Sequence, residues 1–129
     1  MSDCRLRLPL ALAVMALGIA AVRPAAAAGD ADKGKVIFNK CMICHSLQTG
    51  VNKIGPSLHG IVGTKAAEVP NYTFSPALMK SGLTWDDATL DKWLTNPRKL
   101  VPGTKMIFPG LPKEEDRQDV IAYLKQAGS

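Results

Sequence analysis

Between residues 30 and 41, Ala31, Gly34, Phe38 and Cys41 recur at spacings of three and four, the signature of one buried helix face. Asp30 stands directly ahead of them as an N-cap. Gly34 is a poor helix former, so its place on that face predicts a close crossing with another helix. Ser75-Pro76 reads as an N-cap followed by proline at the first helical position, with Gly82 as the stop. Thr84 and Asp87 have the spacing of a capping box ahead of Leu90, Trp93 and Leu94, and Asn96-Pro97 ends that helix. A last helix opens on Glu114, Glu115 and Asp116, acids at the positive end of its dipole. It turns Val120, Ile121, Tyr123 and Leu124 inward and stops near Gly128. No useful stretch alternates with period two. The expected class is all-α.

The first 28 residues follow a different logic. Arg5 and Arg7 precede an uncharged run from Leu8 to Val22, and Ala25 to Ala28 lead up to Gly29. A basic start, a short apolar run and a small-residue site predict a secretory signal peptide cleaved near Ala28-Gly29, hence a periplasmic protein. A membrane anchor needs about 20 apolar residues; this run is shorter and is bounded by Pro9 and by Arg23-Pro24. The expected organisation is a leader over 1–28 and one domain over 29–129. Losing the leader removes three cations and one anion and lowers the net charge from +5 to +3. That balance, without any Lys/Arg-rich run, excludes a nucleic-acid binder. Cys4 leaves too, and the remaining pair, Cys41 and Cys44, is no disulfide framework.

Two long polar stretches, about 46–74 and 97–112, separate the expected helices. Loops of that length are out of place in a small domain unless they wrap something that is not protein. Cys41-Met42-Ile43-Cys44-His45 supplies it, as a C-x-x-C-H site of covalent haem attachment. Two thiols three residues apart can add to two vinyl groups of one porphyrin, and His45 then reaches the iron. A thioredoxin-type dithiol would need a βαβ setting, and a zinc site would need further ligands beyond His59. A sixth ligand could come from Met42, Met79, Met106, His59 or a lysine. Met42 is confined to the attachment loop, and Met79, on a short helix, reads as core filler. Met106 follows Pro102-Gly103 in a long loop suited to carrying a thioether across a haem face.

Five further motifs stand in order along the chain: Gly55-Pro56-Ser57-Leu58-His59-Gly60, Gly82-Leu83-Thr84-Trp85, Asn96-Pro97-Arg98-Lys99, Val101 to Phe108, and Asp119 to Lys125. With Gly34, Phe38 and the attachment site they resemble class I cytochrome c, near the bacterial cytochromes c2 and c-550 and mitochondrial cytochrome c. The resemblance spans about residues 29–127. It implies the cytochrome c fold, with four to five helices and long loops around one haem c bound by thioethers to Cys41 and Cys44. It also implies roles. Pro56 would accept from His45, Trp85 would donate to a haem propionate, and Thr104 would hold the loop of Met106. His59 would be an exposed loop residue. Thr64 and Phe74 stand where many mitochondrial members carry arginine and tyrosine, and Trp93 replaces a tyrosine near the methionine ligand.

With His45 and Met106 both on iron no coordination position is open, which leaves one-electron exchange, and thioether ligation raises the potential. The expected function is a soluble, monomeric periplasmic electron carrier, not an enzyme. The donor would be a cytochrome bc1 complex or a periplasmic dehydrogenase, and the acceptor a terminal oxidase or photosynthetic reaction centre. Docking would use Lys35, Lys40, Lys53, Arg98, Lys105 and Lys113, with no stable membrane insertion. The alternatives are a dedicated acceptor for one periplasmic dehydrogenase and a haem peroxidase-like enzyme.

Overall fold

The computed structural model describes residues 28–128. The leader therefore lies outside the described residues, apart from Ala28 at its end. Five helices follow in order: α1 (Ala31–Phe38), α2 (Pro76–Lys80), α3 (Asp87–Thr95), α4 (Pro97–Leu100) and α5 (Glu114–Ala127). Among the described residues there is no strand, only an isolated antiparallel bridge between Lys65 and Thr84.

Asp30 caps α1, its carboxylate accepting from the amides of Asp32 and Lys33. The same residue ties the helix to the other end of the domain, because its own amide donates to Asp119 Oδ1 at 2.7 Å. The packing of α1 on α5 is the most extensive helix contact, and Gly34 makes it possible. A Cβ on Gly34 would lie 2.0 Å from the Asp119 carbonyl oxygen, closer than any atom can approach. Phe38, Val120, Ile121 and Leu124 fill this crossing, with Phe38 tilted against Tyr123 at 5.4 Å between ring centroids.

One expected helix start needs correction, and one expected helix end is also a start. The capping box at Thr84 does not form: Asp86 is the N-cap of α3 and accepts from the Thr89 amide at 2.7 Å. Thr84 is held extended by its bridge to Lys65, and Trp85 exchanges backbone hydrogen bonds with Gly63 and Thr64, so helix can begin only after them. Asn96 does close α3, but it also opens α4. Its side chain accepts from the Lys99 amide at 3.0 Å, and Pro97 takes the first helical position. The stretch from residue 97 is therefore helical for its first turn.

Arg117 on α5 joins three segments. Its Nε donates to Asp91 Oδ1 at 2.8 Å, and Nη1 donates to the carbonyls of Leu111 and Pro112 at 2.9 and 3.2 Å. Arg117→Leu strips both carbonyls of their donor and leaves Asp91 to Gln118, at a residue that is only 9% exposed. It should cost about 2–4 kcal/mol in denaturant unfolding. A loss below about 0.5 kcal/mol, the usual size of a surface change, would mean that water replaces the guanidinium freely.

Candidate haem-binding site

The chain leaves α1 through Asn39 and continues to turn. Cys41 N donates to Phe38 O, and the amides of Cys44 and His45 both donate back to Cys41 O, at 3.1 and 2.9 Å. This turn brings the two cysteines to one half-buried edge as free thiols. Burial, with the neighbouring Cys44 adding to it, pushes the Cys41 thiol up to about 11. Cys41 thus lacks the low-pKa thiolate that the attacking thiol of a redox dithiol needs. Nor do three His, Cys, Asp or Glu side chains gather as around a metal ion anywhere among the described residues.

His45 is held from behind. Its Nδ1 lies 2.8 Å from the Pro56 carbonyl oxygen, which makes Nδ1–H the donor and leaves the Nε2 lone pair for a metal. Burial lowers the pKa of the ring, against the opposing pull of the Pro56 hydrogen bond and with a smaller push from Lys53. The imidazole is therefore neutral near pH 7, the form that ligates. Gly55 lets the chain pass beneath it, since a Cβ there would come within 2.4 Å of the ring. Gly55 N in turn donates to Cys44 O at 2.7 Å. Two unpaired thiols and an oriented, neutral imidazole on one turn fit a covalently attached haem.

The remaining expected residues are held by contacts of their own. Met106 is half-buried and packs against the core, and its amide donates to Thr104 Oγ1 at 3.3 Å. Thr104 N donates to Val101 O, so the loop is braced within itself. Lys105 Nζ donates to Thr73 O at 2.9 Å and ties that loop to the 67–74 segment. Trp85 is buried and meets Trp93 edge-on at 5.1 Å. The Thr64 hydroxyl donates to Ile61 O, and Phe74 packs edge-on against Tyr72. His59 is exposed, as expected. Met79 is not core filler: it is 57% exposed, because the single buried position of the short α2 goes to Leu78.

Lys35, Lys40, Lys53, Arg98, Lys105 and Lys113 are all exposed. Between them in the sequence stand large apolar side chains, Met42, Ile43, Ile54 and Ile107, each at least half exposed. Hydrogen bonds tie their segments to neighbouring loops. Lys53 Nζ donates to Met42 O, Tyr72 Oη donates to Ile54 O, and Lys105 reaches Thr73. Their signal in the sequence is an apolar residue within three positions of a lysine, in segments with no helical period.

Fold and site together define a protein of helices and loops built around one covalently attached haem. The sequence profile of the cytochrome c family matches residues 31–128, and the chain belongs to that family. It is 50% identical over 100 residues to cytochrome c2 of Rhodoblastus acidophilus, covering 77% of this chain and 94% of that one. It is 46% identical over 106 residues to cytochrome c-554 of Methylosinus trichosporium, covering 81% of this chain and 80% of the other. Among solved structures, cytochrome cH from Methylobacterium extorquens is 52% identical and superposes with a TM-score of 0.72. That match covers 76% of this chain and 99% of the other. The protein is thus an electron carrier with one haem c joined through Cys41 and Cys44.

Proposed function

We propose that the mature protein, residues 29–129, is a soluble periplasmic carrier of single electrons whose iron is held between His45 and Met106. The observation that carries this reading is the 2.8 Å contact between His45 Nδ1 and the Pro56 carbonyl, which leaves the lone pair of the other ring nitrogen free for a metal. Haem c, when bound, supplies the one-electron Fe(II)/Fe(III) couple. The protein's residues do the rest. Pro56 fixes the tautomer and the tilt of His45. Thr104 shapes the loop that would present the Met106 thioether, a soft ligand that favours the reduced state. Trp85 is read as a donor to a haem propionate. Export would follow from the leader over 1–28, and among the described residues no helix is long and apolar enough to cross a membrane.

For partners we favour a cytochrome bc1 complex or a periplasmic dehydrogenase as donor and a terminal oxidase or photosynthetic reaction centre as acceptor. The lysine-rich face supports an acidic docking surface on each. Charges on such a face accelerate encounter more than they tighten the complex. Reversing Lys40 or Lys105 to glutamate should slow association with an acidic partner and flatten its ionic-strength dependence. Turnover at saturating carrier should hardly change. Stopped-flow rates across a salt series check this; a fall in turnover with an unaltered salt slope would argue against the docking face. The mass of the exported protein tests the leader, and a redox titration of the same sample tests the reversible one-electron couple.

A further inference from the structure

Asn52 carries three hydrogen bonds that neither the attachment motif nor the family resemblance assigned. Its Nδ2 donates to Pro70 O at 3.0 Å and Asn71 O at 3.1 Å, and its Oδ1 accepts from Ser57 N at 2.8 Å. One side chain thus joins two loops and satisfies three backbone groups, which only a neutral amide, donor and acceptor at once, can do. Asn71 has a φ of +57, a conformation few residues adopt.

Ser57 immediately follows the residue that orients His45. On its other side, Pro56 is preceded by Gly55, which is pinned to Cys44 O at 2.7 Å and pressed against the imidazole. The Pro56 carbonyl is consequently suspended between two anchors. The first belongs to the attachment turn itself, and the second is the Ser57 amide held by Asn52. The Ser57 hydroxyl adds a bond to Gln48 O at 2.7 Å, but it leaves the amide to Asn52.

We infer that Asn52 is a positioning residue for the haem: by holding the Ser57 amide it fixes the Pro56 carbonyl against His45 Nδ1 and so governs how firmly the imidazole donates. Such partners of a ligating histidine set ring orientation and ligand basicity. The inference deepens the assignment of His45 as an iron ligand and rests on it. Because an amide does not titrate, this route of control is the same at every pH the protein meets.

The test uses the reduced holoprotein and NMR exchange of two protons, His45 Nδ1–H and Ser57 N–H. Asn52→Ala removes all three bonds. Asn52→Asp keeps the acceptor for Ser57 and loses both donors to Pro70 and Asn71. In Asn52→Ala both protons should exchange about tenfold faster, the weight of one hydrogen bond in an equilibrium. In Asn52→Asp both should stay near the wild-type rate. Equal acceleration in the two variants would overturn the inference, because it would reduce Asn52 to a tether between loops. So would an unchanged rate in Asn52→Ala. If Asn52→Ala does not fold, Asn52→Asp alone decides, retained protection supporting the inference and lost protection ending it. The same spectra separate this from the ligand assignment: His45 ring protons displaced by the macrocycle show ligation whatever the exchange rates do.

Discussion

Gly34→Val should leave the protein unable to close α1 on α5. Even the first atom of the new side chain would sit 2.0 Å from the Asp119 carbonyl oxygen and 2.8 Å from Tyr123 Cβ. The first of these is backbone in the middle of a 14-residue helix, so it cannot swing aside. The helices must separate, and with them go the Phe38–Tyr123 contact and the bond from Asp30 N to Asp119. Overpacking a formed core commonly costs 1–3 kcal/mol, and a backbone clash at a helix crossing belongs at or above about 3 kcal/mol. Urea unfolding of the purified holoprotein measures it. A variant within about 1 kcal/mol of wild type would show that the crossing is looser than these distances require.

The second large effect is chemical. Met106→Ala should retain covalent haem, because neither cysteine is touched, yet lose the thioether that would fill the sixth position. Three consequences follow together. The reduction potential falls, since thioether ligation favours Fe(II). Carbon monoxide and cyanide, excluded from a filled coordination sphere, gain access to the iron. Peroxidase activity rises for the same reason. Met79→Ala provides the contrast: that side chain is 57% exposed on a five-residue helix, and its removal should change none of the three. If Met79→Ala opened the iron and Met106→Ala did not, the ligand would have been placed on the wrong loop.

Much of this was legible in the sequence because the relevant physics is local. Asp30 and Ser75 cap the helices they announce, and Asn96-Pro97 marks a true boundary. Gly34 was readable as a crossing point because glycine on a buried helix face has few other uses. The Cys41–His45 spacing carries its chemistry within five residues. Where the reading went astray, tertiary contacts outvoted local pattern. Thr84 has good capping chemistry, but its backbone is already committed to Lys65, and Asp86 takes the role two residues later. Asn96 was read as an end when the same side chain could also begin a helix. Met79 was assigned to the core from residue type alone, although a helix of five residues has one buried position.

The site shows the same division. Pro56 and Thr104 came from family resemblance, and each now has a bond that explains its residue type or place: a carbonyl facing His45, and a hydroxyl facing the Met106 amide. Asn52 could not have been found by pattern. Its partners lie 5, 18 and 19 residues away in irregular chain, where no periodicity records a contact. The exposure of Met42, Ile43, Ile54 and Ile107 has no pattern to announce it, because exposed hydrophobic residues are common one at a time.

The central claim is that His45 and Met106 hold the iron. The most direct test is the NMR spectrum of the reduced, diamagnetic holoprotein with its methionine methyl groups labelled. The methyl of a methionine whose sulfur binds the iron would lie over the macrocycle, whose ring current would move its resonance far upfield of an ordinary methionine. One such resonance is expected, lost in Met106→Ala and kept in Met79→Ala. A displaced resonance that survives Met106→Ala, or none in the wild-type protein, would contradict it.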